Sequence, residues 1–371
     1  MMPAEFIEDK NNMLEDLKKI VELETPSTDK ARLDIFADYF IDYAKQKLGI
    51  DANVIPSETN GKDLKFVINE NSKEQILLLC HYDTVFDSGT IKNRPFKIEN
   101  GKAYGPGIFD MKSGIIEAVY ALKHIINENI KTKKIVLLVT SDEEIDSEFS
   151  RKIIEDEAKK SSYALVMESP LNGMLKTERS GVGTIKITVH GRSSHAGLDP
   201  EKGINAIYEL FNIIPVIKKM NNKERGISLN LDVINGGSRS NVIPDYCEGI
   251  MDFRFKKPED GEKIVNELVA VKPVNDGASI EIESRLRPPM VRTEKTEALF
   301  KKIKNIGHNI GIELKETSVA GGSDGNFCSY YCPVIDGLGA VGDGAHSESE
   351  YILIDSMPER SALIYSIIKT I

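Results

Sequence analysis

The 371-residue sequence has no tryptophan, four cysteines and six histidines. Four cysteines over such a length make no disulfide framework, so a small stapled scaffold is excluded and reduced thiols in the cytoplasm are expected. Long apolar runs are also missing. The longest, such as Ile76–Cys80 and Ile135–Val139, fall far short of the roughly 20 residues of a membrane span. Met1–Lys10 carries acidic residues and no apolar stretch, so no signal peptide is expected. Basic charge is in deficit, with 48 Lys+Arg against 58 Asp+Glu, a net of −10. Such a surface repels phosphate backbones, which excludes nucleic-acid binding as the main role. What is present is ordinary globular material: 40% hydrophobic residues and 28 glycines. A chain of this size buries roughly three-quarters of its unfolded surface and divides into about two to three domains.

Apolar residues recur at helical spacing over Asn11–Leu23 and again over Ala31–Leu48. Short β-rich runs at Lys65–Ile68, Ile76–Cys80 and Ile135–Thr140 alternate with helical stretches at Ser113–Asn127 and Ser150–Lys160. Continuous apolar strands between helices predict an α/β domain, its sheet covered on both faces. The texture changes after Glu168. Strands at Gly183–His190, Ser228–Asn235, Cys247–Lys256 and Ser279–Ser284, with helices at Gly203–Met220 and Asp260–Val269, follow the βαββαβ order of a ferredoxin-like α+β unit. Residues 180–287 therefore read as an insertion into a domain formed by 1–179 and 288–371. Pro288-Pro289 marks the return, and Thr296–Gly311 then forms a helix.

Three apolar strands run directly into metal-type donors. Leu77–Cys80 leads to His81-Tyr82-Asp83, Val136–Val139 leads to Glu143-Glu144, and Ala164–Met167 leads to Glu168. Ligands of open α/β sheets collect at such carboxyl ends. Asp83 is spaced to accept from the second ring nitrogen of His81. Asp110, in Gly105-Pro106-Gly107-Ile108-Phe109-Asp110, reads either as a helix cap or as a carboxylate bridging two cations. Adjacent acids such as Glu143 and Glu144 form a solvated turn unless a cation compensates them. His346 lies in the Gly-rich segment Gly342–Ser347. Two histidines and several carboxylates suit Zn²⁺ or a similar divalent ion, and two ions sharing a carboxylate and a water suit hydrolysis.

These segments, with Ser194-His195-Ala196-Gly197 and Gly321-Gly322-Ser323-Asp324-Gly325, resemble the M20 family of dinuclear zinc peptidases and deacylases over almost the whole chain. The likeness is nearest to the glutamate carboxypeptidases of the carboxypeptidase G2 type. The resemblance implies a zinc-peptidase catalytic domain with a mixed sheet, interrupted by a lid and dimerisation domain. One zinc would be held by His81, Asp110 and Glu168, and a second by Asp110, Glu144 and His346. Co²⁺ or Mn²⁺ is an expected replacement. Glu143 matches the general base, Asp83 the acid that orients His81, and His195 the donor that stabilises the oxyanion. Asn241 and Arg254 match substrate-binding positions, and backbone N–H groups near Gly321 and Gly322 complete the grip on a terminal carboxylate. A Glu at position 168 is typical of carboxypeptidases and deacylases, where the aminopeptidase relatives usually carry Asp. The Gly-Pro-Gly before Ile108 departs from the commonest family loop.

The expected activity is hydrolysis of an amide bond in a small peptide or N-acyl amino acid, releasing a C-terminal amino acid such as glutamate. The expected assembly is a homodimer formed through the inserted domain, whose movement about hinges near residues 180 and 288 closes the site. The alternatives are a deacylase of the acetylornithine or succinyl-diaminopimelate type and a catalytically silent metal-binding protein on the same scaffold. His124, His190 and His308 carry no assigned role. Cys80 reads as core, and Cys328 and Cys332, four apart on a predicted helix, as buried thiols.

Overall fold

The structure, a computed structural model, describes residues 3–371, and Met1 and Met2 of the stretch read for a signal peptide lie outside the described residues. The chain divides into two compact units. One comprises the chain up to Glu178, Arg292–Ser318 and Ser323–Ile371, and the other comprises Arg179–Val291 and Val319–Gly322.

The first unit is mixed α/β. Its six-stranded sheet runs in the order Asn53–Ile55, Asp63–Ile68, Lys134–Thr140, Gln75–His81, Ser161–Val166, Val334–Ile335. Gln75–His81 is parallel to both neighbours, whereas Asp63–Ile68 joins antiparallel at one side. All seven residues of Gln75–His81 are buried, which is why the strand reads as a continuous apolar run rather than an alternation. The helix Ser113–Asn127 packs against the final helix Ser356–Thr370, and the Ser361 hydroxyl donates to the Glu117 carbonyl at 2.9 Å. Leu78, Leu137, Ile116, Leu363 and Phe36 lie in one continuous core. No helix of the described residues is long and apolar enough to cross a membrane.

A second sheet of this unit, in the order Gly342–Asp343, Tyr351–Leu353, Lys102–Tyr104, Lys97–Glu99, has no counterpart in the sequence reading. Its strands are two or three residues long, too short to show a period of two. The helix expected to hold Cys328 and Cys332 runs only over Gly325–Cys328. Cys332 follows in a turn, its N–H donating to the Cys328 carbonyl at 3.1 Å.

In the second unit the chain runs through strand Gly181–His190, helix Ala206–Met220, strands Ser228–Gly236 and Tyr246–Phe255, helix Pro258–Val269 and strand Ser279–Arg287. The four strands pair antiparallel in the order Ser228–Gly236, Tyr246–Phe255, Gly181–His190, Ser279–Arg287. Burial alternates along Tyr246–Phe255. One face therefore carries Met251, Phe253 and Phe255 into a core with Ile185, Ile187, Leu210 and Ile264.

Candidate metal centre

Three of the parallel strands of the first unit stop at one edge, with His81 beside Thr140 and Leu79 beside Val166. His81 is the last residue of its strand, Glu143 and Glu144 sit on the short turn after Thr140, and Glu168 lies two residues past Val166. Asp110 arrives from a wide turn, Ile108–Lys112, immediately before the helix that starts at Ser113. His346 follows the strand Gly342–Asp343 and holds a left-handed backbone, φ 61°.

These side chains converge. His81 Nε2 lies 3.3 Å from Asp110 Oδ1 and 3.3 Å from Glu168 Oε1. His346 Nε2 lies 3.3 Å from Asp110 Oδ2 and 3.2 Å from Glu144 Oε1. The two oxygens of Asp110 thus face different imidazoles. His81 Nε2, Asp110 Oδ1 and Glu144 Oε1 are buried, yet have no hydrogen-bond partner. Ligands held at about 2.0–2.1 Å around a tetrahedral Zn²⁺ stand about 3.3–3.4 Å from one another. The observed separations and orphaned atoms fit two such cations sharing Asp110. Glu143 belongs to the same cluster: ligand atoms of His81, Glu143 and Glu168 lie within 4.8 Å of one another, as do those of His81, Asp110 and Glu144.

Electrostatics point the same way. Burial and the neighbouring Asp110 and Glu143 charges push the Glu144 carboxyl up to about 8, although His346 opposes this. The facing Asp110 and Glu144 carboxylates favour the charged ring and raise the His346 imidazole to about 11. Burial works against a charged His81, but Asp110, Asp83 and Glu168 more than offset it and hold this ring well above its usual range. Burial likewise works against a charged Asp110, and His346 and His81 bring its carboxyl below the usual range. A cation bound among these groups would compete with protons for them.

Around it stands a supporting layer. Asp83 is fully buried. Its Oδ1 lies 3.3 Å from His81 Nδ1 and accepts the Glu143 N–H at 3.1 Å. Its Oδ2 accepts the Glu144 N–H at 3.1 Å and the Ser27 hydroxyl at 2.7 Å. Asp83 therefore fixes the backbone of both glutamates with its carboxylate, and the His81 ring with that carboxylate and with its carbonyl oxygen, 3.2 Å from Nδ1. The Asp110 loop is pinned by the buried Glu350, which accepts from the N–H groups of Gly107, Phe109 and Asp110 at 2.9, 2.8 and 3.0 Å. Gly107 holds φ +70°, and a Cβ there would lie 2.4 Å from Thr84 Cγ2, so only glycine fits. Ser27 and Glu350 escaped the sequence reading. An acid four residues beyond His346 in a turn-rich segment was the available cue for Glu350, and Ser27 offered none.

His81, Asp83, Asp110, Glu143, Glu144, Glu168 and His346 thus come together in the first unit. The other expected site residues lie in the second unit. His195 ends the short strand Ser194–His195, which pairs with Val242–Ile243, and the Asn241 carbonyl accepts the Ala196 N–H at 3.0 Å. The Nδ1 of the exposed His195 accepts the N–H groups of Gly197 and Leu198, each at 3.1 Å. That leaves the neutral ring's proton on Nε2. Arg254 is already engaged: Nε and Nη2 reach Asp252 at 2.9 and 2.6 Å, and Nη1 donates to the Ala320 carbonyl at 3.4 Å. The carbonyls of Gly321 and Gly322 accept from Arg179 Nη1 at 3.2 and 2.8 Å, a partner the sequence did not suggest.

The residues left without a role have structural partners. His124 Nε2 meets Asp9 at 2.8 Å, His308 Nδ1 meets Glu313 at 2.6 Å, and His190 packs against Tyr246. All four cysteines are free and buried, and burial raises the thiols of Cys80 and Cys328 above their ordinary range.

Comparison with known proteins sets this site in context. Residues 77–370 match the family model of peptidase family M20/M25/M40. The chain is 29% identical to carboxypeptidase G2 of Pseudomonas sp. (strain RS-16), over 94% of this chain and 86% of that protein. It is 26% identical to a succinyl-diaminopimelate desuccinylase of Wolbachia, over 88% of this chain and 86% of that protein. An M20 family metallo-carboxypeptidase from Sulfolobus solfataricus superposes with a TM-score of 0.77 at 19% identity, covering 96% of this chain and 98% of that one. A tripeptidase from Staphylococcus aureus gives 0.76, also at 19% identity, with 100% and 98% covered.

Proposed function

This chain belongs to peptidase family M20/M25/M40 and is a metallo-hydrolase, and we propose that it cleaves the amide bond of a small peptide or N-acyl amino acid, releasing a C-terminal amino acid such as glutamate. The observation that carries this reading is the Asp110 carboxylate, whose two oxygens face His81 and His346 at 3.3 Å each. His81, Asp110 and Glu168 would hold one Zn²⁺ and Asp110, Glu144 and His346 the other, with Co²⁺ or Mn²⁺ able to replace them. Bound there, the ions would acidify water and polarise the scissile carbonyl.

Glu143 takes the proton of the attacking water and delivers it to the leaving nitrogen. Its backbone is anchored through Asp83, so the carboxylate works from a fixed turn. His195, with Nδ1 already satisfied, offers Nε2–H to the oxygen on which negative charge develops. Arg254, Asn241 and N–H groups near Gly321 and Gly322 hold the carboxylate of the leaving amino acid. Nη1 of Arg254, with only a 3.4 Å bond to Ala320, is the nitrogen freest to do so.

We assign the second unit, expected at 180–287, the role of lid and dimerisation domain. Tyr208 and Phe211 on its helix Ala206–Met220 are 68% and 54% exposed, and Val233 and Ile234 on an edge strand are also exposed. Such an apolar face supports a homodimer. The four free thiols support a cytoplasmic setting. A second reading, an N-acyl-amino-acid deacylase of the acetylornithine or succinyl-diaminopimelate type, is favoured by the Wolbachia relative.

Metal analysis combined with turnover of N-acyl-glutamates, dipeptides ending in glutamate, and acetylornithine tests both. Glutamate release that disappears on chelation and returns with zinc supports the first reading, and preference for acetylornithine supports the second. Failure to bind metal at near-stoichiometric level would sink both.

A further inference from the structure

A cavity of about 390 Å³ lies in the first unit, lined by Met174, Ile312, Glu313, Lys315, Glu359 and Arg360 among others. Its volume falls within the range of small-ligand sites. None of the residues brought together at the metal centre lines it.

Arg360 is its buried anchor, only 4% exposed. The guanidinium is aimed by a tight turn. Asn172 and Gly173 both hold left-handed backbone, φ 51° and 77°, the conformation that an Asn-Gly pair favours. Leu171 and Met174 exchange N–H···O bonds across the turn at 3.2 and 2.9 Å. The Gly173 carbonyl so placed accepts from Arg360 Nη2 at 2.8 Å. Arg360 Nη1 is buried as well, and no hydrogen bond reaches it. A buried charged donor without an acceptor is an exception among protein polar groups.

Two carboxylates act on this guanidinium through space, Glu117 and Glu359. Both oxygens of Glu117 are themselves unpartnered, and its burial favours the neutral form. Glu359 is exposed, as is Lys315, and Glu313 already faces His308 at 2.6 Å. The charged lining is thus two cations, Arg360 and Lys315, against two carboxylates, Glu313 and Glu359. A dianion would meet as much repulsion as attraction there. A ligand carrying one charge of each sign matches the balance, and Met174 and Ile312 add apolar surface.

We propose that this cavity binds a free amino acid with an apolar side chain. Its carboxylate would meet Arg360 Nη1 and Lys315, its ammonium Glu359, and its side chain Met174 and Ile312. The site uses no group of the metal centre, so the assignment stands apart from the amide-hydrolase reading.

The chain has no tryptophan, so Met174→Trp places a single indole fluorophore at this cavity. Ile312→Trp is the second reporter, used where the first does not fold. In the full-length protein L-leucine should change the emission saturably. Isocaproate, which lacks the ammonium, and leucinamide, which lacks the carboxylate, should each bind about tenfold more weakly. Lys315→Ala, at an exposed position, and Arg360→Lys should each weaken leucine by a similar factor in the reporter background. Glu359→Gln should weaken leucine and leave isocaproate unchanged. No saturable response below about 10 mM leucine, equal affinity for the three compounds, or leucine binding unchanged in both Lys315→Ala and Arg360→Lys would overturn the assignment.

Discussion

Glu350 touches no candidate ligand side chain, yet replacing it should weaken metal binding. Its Oε1 accepts two N–H groups, from Phe109 and Asp110, and its Oε2 accepts a third, from Gly107. Glu350→Gln keeps the shape but leaves one acceptor oxygen. In the better orientation the side-chain amide faces the Gly107 N–H, donor against donor. Each hydrogen bond to a charged group contributes about 1.5–3 kcal/mol, and a neutral acceptor gives roughly half as much. Losing one bond and halving two therefore costs about 3–6 kcal/mol. Thermal unfolding of the metal-free protein should show this as a fall in Tm of about 5–10 °C. Calorimetric zinc titration should show affinity reduced by about 10–100-fold, the usual effect of removing a group that orients a ligand. Glu350→Ala, which leaves all three N–H groups without the carboxylate, should be worse on both counts. If Glu350→Gln keeps its Tm within a degree and its zinc affinity within twofold, then the carboxylate does not hold the Asp110 loop.

Glu143→Gln should fold, bind metal at the parent stoichiometry and lose about 10²–10⁴-fold in kcat; parent-like turnover in stopped assays would eliminate it as the base. Glu117 is fully buried, with both carboxylate oxygens lacking a hydrogen bond, and burial holds its carboxyl well above the usual range. Its native form keeps a proton that the unfolded chain releases above about pH 4.5, so stability falls as pH rises through that window. Glu117→Gln should be the more stable protein in urea at pH 8, with the gap closing towards pH 4. Asp16 behaves oppositely. Burial resists its charge, but Lys47 at 2.6 Å, Tyr120 at 2.9 Å and Tyr43 at 3.0 Å lower its carboxyl below the usual value. Its contribution is present above about pH 4 and lost as pH falls through the lowered value. Asp16→Asn should therefore cost about 2–4 kcal/mol at pH 7, and much less near pH 3, by urea unfolding.

The candidate centre was legible because strands such as Gln75–His81 are buried throughout and end in donors. A fully apolar run followed at once by His or Glu is a local signal, and several in order identified the family. Glu350 and Arg179 could not be read in that way. Each acts through backbone groups remote in sequence, Glu350 on Gly107–Asp110 and Arg179 on Gly321 and Gly322. The state of Arg254 was hidden as well, because its engagement with Asp252 depends on two side chains of one strand lying on the same face. The sheet containing Tyr351–Leu353 went unseen because strands of two or three residues carry no period.

The metal-type donors at positions 81, 110, 144, 168 and 346 sit on separate segments that meet only when the first unit is complete. Both the parallel strands and the last loop must be in place before Asp110 faces two imidazoles. A chain that stops before residue 346 carries four of these five donors and lacks only His346. On the two-ion reading proposed above, the second ion would bind only once this last loop is in place, and metal content would then report how much of the population has finished folding.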